Sequence, residues 1–406
     1  MYGVAIISER AKSGEPLPLV VVAGQVPPPT GGQNVMIQRI FDELSADPGW
    51  RAVHLPFYFT LSFHNVRKFR VGKIIELLAV WIRFFRLVIN HGPPDLLLYP
   101  SGGPQTVPVI RDILLLPLFC AFSRKVVVQF HAAGVSNRLG AKAGPLERLL
   151  GLAYRNVAAA IVMTDFNRCD PLSLGIRNIH VIPHRLPDEN PEAKLPDYRA
   201  FLDGQSAIRN PQSSFNILYA GHLCDLKGTP QLIESFGAIA DRFPSARLIL
   251  MGEFLPPYSQ EECRNRCREL GIEDRVEITG VLHRENKAAK FRAAHLFVFP
   301  SVAPYESFGL VLVEAMMWGL PIVATDWRGN RDVAGPDACY CPVRLDSLPD
   351  LADKIAGSLS SISDLSSKAA HMRIRYEERF RLASSSHDYC AFVHAATVGG
   401  NQAIGL

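Results

Sequence analysis

The sequence predicts an α/β protein made of two successive Rossmann-like domains, each with a parallel sheet. Three observations support this prediction. The chain has 406 residues, which is more than one typical hydrophobic core accommodates. Short apolar runs alternate with amphipathic stretches of helical period, the pattern of repeated βα units. A segment rich in proline and charge, at residues 183–211, interrupts that pattern and is typical of a boundary between domains.

Composition excludes several classes of protein. Hydrophobic residues make up 48% of the chain and charged residues 20%, as in ordinary soluble α/β proteins. The net charge of +4 (43 − 39) is too small to indicate a nucleic-acid partner. The eight cysteines are scattered, which favours free thiols in a reducing cytoplasm over disulfides or a zinc site. We expect neither a secretory leader nor a transmembrane helix, because no run of about 20 apolar residues occurs.

The first half contains five short apolar runs that are predicted to be strands. They are too short for core helices, and the helical stretches between them carry apolar residues on one side. The predicted strands cover residues 19–23, 95–99, 125–130, 158–163 and 180–182, and helices are predicted at 34–45 and 144–156.

The second half restarts the same alternation after the Pro-rich segment. Strands are predicted at residues 216–219, 246–251, 276–279, 296–300 and 321–325. Helices are predicted at 229–243, 259–270, 287–294 and 309–317, followed by a polar helical tail at 351–396. The pattern gives an N-terminal domain at 1–190, a linker at 191–212 and a C-terminal domain at 213–375.

Two glutamates flank a Ser-Phe-Gly turn after the apolar strand 296–300. Ligands of open α/β sheets bind beyond the carboxyl ends of the strands, so Glu306 is expected to face a cleft. Gly309 would allow close backbone approach, and the following helix offers free N–H groups to a phosphate or a sugar hydroxyl. Glu314 could then accept from the two adjacent hydroxyls of a ribose. The alternative is that Glu306 caps the helix and Glu314 is a solvated surface acid.

Two further turns follow predicted strands. The segment 221–228 is bounded by glycines and carries Lys227, which could lie against a diphosphate. It lacks the order of a P-loop, and a surface turn with a solvated lysine is an equal alternative. Gly31 and Gly32 open a helix after the first strand and permit close contact with an anion or an acceptor. Without a Gly-x-Gly-x-x-Gly pattern, they are equally consistent with a tight turn only.

His131 directly follows the strand 125–130 and would point into a cleft between the domains. A single histidine in such a place is more often structural than functional, so a structural role is the alternative here.

These features occur in the order and near the spacing of one family. The chain resembles glycosyltransferase family 4 (the glycosyl transferases group 1), whose fold is GT-B: two Rossmann-like domains facing across a cleft. The resemblance spans residues 19–396 and is strongest in "ILYAGHLCDLKGTPQLIESF" and "LFVFPSVAPYESFGLVLVEAMMWGLPIVATD". The first half matches more loosely through the Gly-Gly turn, "VVVQFHAAG" and "NIHVIPH". By the same resemblance, the closing helix at 376–406 crosses back to the N-terminal domain.

The resemblance implies roles for individual residues. It places Glu314 on the ribose, Glu306 near the donor sugar and Lys227 on the phosphates. Contacts to the sugar, the diphosphate and the base would come from the backbone of Ser307, Phe308, Gly309 and Leu310, from Gly31 and Gly32, and from the backbone near Val281. His131 would touch the sugar near the reacting carbon. His222 stands where the family usually has an arginine, so one phosphate cation is weaker or depends on pH.

The family retains anomeric configuration and needs no metal, and the sequence contains no Asp-x-Asp that could hold one on a diphosphate. We therefore expect a retaining, metal-independent hexosyltransferase without a cofactor. It would move a sugar from a nucleotide-sugar to a glycan or lipid-linked acceptor in bacterial-type polysaccharide or glycolipid assembly. The alternatives are a GT-B nucleotide-sugar epimerase and a non-catalytic nucleotide-sugar-binding protein of the same fold.

The stretch 66–90 mixes basic residues with large apolar ones. A segment of this kind can lie on an anionic membrane, which would suit a lipid-linked acceptor and a cytoplasmic enzyme on the inner face of the membrane. An ordinary helix, packed on the N-terminal sheet with a solvated basic side, is the alternative.

Overall fold

The computed structural model describes residues 16–28, 32–59, 71–139, 144–198, 201, 214–341, 348–382 and 388–398. Gly31, residues 66–70 and most of the predicted linker at 191–212 lie outside these ranges. The chain divides into two compact units: a first unit, Met1–His184 with Ser384–Leu406, and a second unit, Arg185–Ala383. These bounds lie near the sequence-based boundaries around residues 190 and 375 but do not coincide with them.

The first unit contains a six-stranded parallel sheet in the order β2-β1-β3-β4-β5-β6. Its central strands are buried at every position, because helices cover both faces of a parallel sheet and the chain supplies continuous apolar runs there. The strands are β1 (Leu19–Gly24), β2 (Arg51–Pro56), β3 (Leu96–Pro100), β4 (Val126–Phe130), β5 (Ala159–Val162) and β6 (Ile179–Val181).

The helices of the first unit are α1 (Gly32–Ala46), α2 (Val71–His91), α3 (Thr106–Phe122), α4 (Pro145–Tyr154), α5 (Cys169–Ser173) and, from the end of the chain, α13 (Asp388–Val398). Helix α13 packs on the first unit. The His394 ring lies 4.6 Å from the Trp50 ring, and Lys125 Nζ donates to the Ala396 carbonyl at 2.6 Å. Among the described residues, no helix has both the length and the hydropathy needed to cross a bilayer.

The second unit contains another six-stranded parallel sheet, in the order β12-β11-β10-β7-β8-β9. Its first strand lies in the centre, and the order reverses between β7 and β10, as in a Rossmann fold. The strands are β7 (Phe215–Ala220), β8 (Ala246–Met251), β9 (Val276–Gly280), β10 (Leu296–Phe299), β11 (Ile322–Thr325) and β12 (Cys339–Cys341). The predicted α/β class with two Rossmann-like sheets is confirmed.

The helices of the second unit are α6 (Thr229–Ala240), α7 (Gln260–Glu269), α8 (Arg284–Arg292), α9 (Leu310–Met317), α10 (Asn330–Ala334), α11 (Leu348–Ser360) and α12 (Ile362–Arg379). Local signals explain several of their ends. Ser259 caps α7 by accepting from the Glu262 N–H at 3.2 Å, and the Glu262 side chain accepts from the Ser259 N–H at 2.8 Å. Gly309, at φ +68°, is the N-cap of α9.

Candidate functional site

The loops after β7 and β10 meet where the strand order of the second unit reverses. The Val302 N–H donates to the Leu226 carbonyl at 3.0 Å. Gly228 has φ +72°, and a Cβ there would lie 2.3 Å from the Pro300 carbonyl oxygen, so only glycine allows this approach. Open α/β sheets bind their ligands at this place.

Lys227 and Glu306 form an ion pair at this junction. The distance from Lys227 Nζ to Glu306 Oε2 is 2.5 Å, and the side chains are only 13% and 11% exposed. The Ser301 hydroxyl donates to the same carboxylate oxygen at 2.9 Å. Burial disfavours the charged form of Lys227, but Glu306 outweighs it and raises the pKa of the lysine. The structure therefore brings two predicted site residues together as a desolvated pair.

The turn between the two glutamates is mostly buried. Ser307 and Phe308 are 6% and 3% exposed, and the Phe308 ring packs 5.8 Å from that of Phe380. Gly309 is the N-cap of α9, which has no side-chain cap, and Leu310 begins the helix. The alternative role of Glu306 as the helix cap is therefore wrong, since its carboxylate contacts Lys227 and Ser301 instead.

Glu314 lies in the second turn of α9 and is paired with a residue that the sequence did not single out. The Lys287 ammonium of α8 donates to Glu314 Oε1 at 2.5 Å. The other oxygen, Oε2, is buried and has no hydrogen-bond partner among the described residues. Because the Glu314 side chain is only 23% exposed, the alternative of a solvated surface acid is wrong.

His222 lies within electrostatic reach of the Lys227–Glu306 pair. Burial lowers its pKa, and the Lys227 ammonium lowers it further, against the opposing effect of Glu253 and Glu306. The imidazole is therefore neutral at pH 7. Its backbone carbonyl accepts from the Tyr219 hydroxyl at 2.6 Å, which fixes the turn. Val281 follows β9 with a side chain that is 53% exposed, so it is open to solvent at the expected base edge.

In the first unit, His131 follows β4 and stacks on a second histidine. The rings of His131 and His184 are 5.4 Å apart and 12° from parallel. His131 Nε2 lies 3.1 Å from Gln129 Oε1. Burial lowers the pKa of His131 to about 4, so the ring is neutral at neutral pH. Sequence reasoning missed His184 because it is far from His131 in the chain. Gly32 is exposed at the start of α1.

The loop after His131 is held by a buried carboxylate that the sequence analysis also missed. Asp170 is fully buried and accepts from the Gly134 and Ser136 N–H groups at 2.9 and 2.8 Å. The Ser136 hydroxyl donates to it at 2.7 Å. Within the described part of the chain, no group of three or more His, Cys, Asp or Glu residues could hold a metal ion.

Comparison with known proteins relates the second unit to one class of protein. Residues 214–361 match the family model described as "Glycosyl transferases group 1". A mannosylfructose-phosphate synthase of Agrobacterium fabrum is 38% identical over 114 residues, 27% of this chain and 25% of that protein. A D-inositol 3-phosphate glycosyltransferase of Streptomyces scabiei is 26% identical over 233 residues, 54% of this chain and 51% of that protein. The chain thus spans a quarter to half of these two relatives.

The fold agrees with that class. The structure of Anabaena HepE in complex with UDP superimposes with a TM-score of 0.67 at 17% identity, covering 93% of this chain and 100% of that one. A likeness at this identity shows the fold alone. The fold is GT-B, and residues 214–361 of the second unit are similar to the glycosyl transferases group 1.

Proposed function

We propose that this chain is a retaining glycosyltransferase that moves a hexose from a nucleotide-sugar to a glycan or lipid-linked acceptor without a metal ion. The observation that carries the proposal is the Lys227–Glu306 pair at the strand-order reversal of the second unit. Glu314, one turn into the adjacent helix, offers a buried acceptor oxygen. UDP in the HepE complex, and the sugar-phosphate and inositol-phosphate names of the two relatives, support a nucleotide donor and a hydroxyl acceptor.

The reaction breaks the bond between the anomeric carbon and the diphosphate oxygen, which keeps the electron pair. Lys227 and the free N–H groups at the start of α9 stabilise the negative charge that develops on that oxygen. Glu306 keeps Lys227 charged and in place, and its second oxygen would accept from a hydroxyl of the sugar. The acceptor oxygen bonds to the same face of the anomeric carbon, and its proton passes to the departing diphosphate.

A product analysis tests this proposal. The protein is incubated with UDP-, GDP- and ADP-hexoses in EDTA, with and without hexose, inositol phosphate or lipid-linked saccharide acceptors, and products are followed by proton NMR. We expect a glycoside of the donor's anomeric configuration only when an acceptor is present. Inverted product would refute the retaining mechanism, and activity lost in EDTA would refute metal independence.

The two alternatives give different products. Conversion of the donor sugar without any acceptor would establish an epimerase. Nucleotide binding without turnover of any donor would establish a non-catalytic binding protein, for which the neutral His222 in place of a fixed cation is the one favouring observation.

We further propose that α2 contacts an anionic membrane surface. One side of this helix packs on the first unit, and Ile75 and Ile82 on its outward side are 63% and 53% exposed, with the exposed Arg86 on the same helix. Arg83 folds back onto Glu76 at 2.9 Å and does not point outward as a free charge. Exposed isoleucines beside an exposed arginine, Arg86, suit the boundary of an anionic bilayer. This location would place the enzyme at the inner face of the cytoplasmic membrane.

Vesicle co-sedimentation tests the membrane proposal. The wild type should bind vesicles that contain 30% phosphatidylserine, and the double variant Ile75→Asp with Ile82→Asp should lose at least about tenfold in affinity. Ile374→Asp is the matched control, because Ile374 is a 48% exposed helical isoleucine of the second unit. The proposal is rejected if the wild type does not bind or if the control variant loses as much as the double variant.

A further inference from the structure

The contact between α8 and α9 assigns a role to Lys287. Its Nζ lies 2.5 Å from Glu314 Oε1, and the two residues are separated by the whole of β10 in the chain. The same ammonium lies 5.9 Å from the centre of the buried Phe291 ring one turn further along α8, which adds a cation–π attraction. The lysine is therefore held on two sides and fixes one oxygen of the carboxylate.

The second oxygen of Glu314 is left without a partner. Oε2 is buried and accepts from no described residue, although a buried acceptor without a hydrogen bond is costly. A hydroxyl donor from a bound ligand would satisfy it. Because Lys287 occupies Oε1, Oε2 is the oxygen that is left to accept from such a donor.

The charge of Lys287 has a second effect. A nucleoside diphosphate is an anion, and an uncompensated carboxylate beside its ribose would repel it. The ammonium at 2.5 Å offsets that negative charge while leaving the acceptor oxygen in place.

The chain offers a reference pair on the same helix. Lys290 Nζ lies 2.5 Å from Glu277 Oε1, but Glu277 is 51% exposed, so this is an ordinary surface ion pair of little consequence. The Lys287–Glu314 pair has the same distance of 2.5 Å between nitrogen and oxygen. It differs from the Lys290–Glu277 pair in burial, because the Glu314 side chain is only 23% exposed and one of its oxygens is buried.

We propose that Lys287 is a positioning residue that orients Glu314 for a ribose hydroxyl and offsets its charge towards the nucleoside diphosphate. The inference rests on the donor site proposed above. It adds a residue outside the conspicuous 306–314 segment and predicts that the effect of Lys287 depends on the ribose hydroxyls of the ligand.

Isothermal titration calorimetry with ribose and deoxyribose nucleotides tests the inference. UDP, GDP and their 2′-deoxy and 3′-deoxy forms are titrated into wild type, Lys287→Met, Lys287→Arg, Lys290→Met and Glu314→Gln. We expect Lys287→Met to weaken the preferred ribonucleotide by roughly tenfold and at least one deoxy form by less than about twofold. Lys287→Arg should recover part of the loss, and Lys290→Met should bind like the wild type.

The outcomes distinguish a failure of the role of Lys287 from a failure of the donor site. If the wild type discriminates ribose from deoxyribose and Glu314→Gln abolishes the discrimination, but Lys287→Met behaves like the wild type, only the role of Lys287 is refuted. Equal losses for ribose and deoxyribose forms in Lys287→Met also refute it, because the lysine would then act on the phosphates. If the wild type binds no nucleotide, or Glu314→Gln changes nothing, the donor site and the role of Lys287 fail together.

Discussion

Replacement of Lys227 by methionine removes the ammonium 2.5 Å from Glu306 Oε2 and keeps most of the volume of the side chain. Loss of one partner from a fully buried ion pair costs about 3 to 5 kcal/mol, because the other charge stays desolvated. Here 11% of the Glu306 side chain remains exposed and Ser301 still donates at 2.9 Å, so we expect about 2 kcal/mol. Glu306→Gln in the same chain removes the stranded charge and should restore most of that loss.

The assay is a double-mutant cycle in urea, read by hydrogen exchange in peptides from residues 214–341 so that the second unit is observed separately. We expect a coupling free energy of about 2 kcal/mol between Lys227 and Glu306. A Lys227→Met variant within about 0.5 kcal/mol of the wild type, or a double variant that loses the sum of the single changes, would refute this reasoning. The same variant should bind nucleoside diphosphate at least tenfold more weakly, since a charge-assisted hydrogen bond is lost.

Three further predictions follow from the second unit. Burial lowers the pKa of His295 to about 4, and its Nδ1 accepts from the Asn216 N–H at 3.1 Å. Because the folded protein requires the neutral ring, the contribution of His295 to the free energy of unfolding is fully present above pH 6.5. This contribution falls by about 3 kcal/mol as the pH drops towards 4. In acid denaturation, His295→Phe should flatten this dependence on pH. The lowered pKa of His222 predicts that the affinity of the wild type for UDP or GDP, measured by calorimetry, rises only below pH 6.5. His222→Arg should bind about fivefold more tightly at pH 7.5, and its affinity should not depend on pH in this range. Replacement of Ala193, at φ 50°, by glycine should raise the free energy of unfolding by up to about 1 kcal/mol. Replacement of Gly271, at φ +67° with open space around it, by alanine should lower the free energy of unfolding by about as much. Melting temperatures that move the other way would contradict both predictions.

The strands could be predicted where the sequence is continuously apolar. The runs that became β1, β4 and β10 are apolar at nearly every position, and burial on both faces of a parallel sheet requires this. The strand Arg51–Pro56 was missed because its arginine and histidine break an apolar run, and it lies at the edge of the sheet. The helix Thr106–Phe122 was missed because it is apolar around its circumference and contains Pro117, so it shows no helical period.

The site was predictable only as far as local spacing extends. The spacing of Glu306 and Glu314 around a glycine turn is visible in the sequence, and the structure places both carboxylates in ion pairs. The pairing of Glu314 with Lys287 depends on how two helices on either side of β10 pack, which no local pattern encodes. The stacking of His184 on His131 likewise arises because β4 and β6, the strands that precede them, lie on either side of β5 in the sheet.

The most direct test of the donor site is a thermal-shift panel of UDP-, GDP- and ADP-hexoses against the wild type, Glu314→Ala and the surface control Lys290→Met. A ligand that binds only the folded state raises the melting temperature by an amount set by its concentration and affinity. We predict that one nucleotide series stabilises the wild type and the control equally and that the shift shrinks in Glu314→Ala. Absence of any shift in the wild type at millimolar ligand, or an undiminished shift in Glu314→Ala, would contradict the proposed donor site.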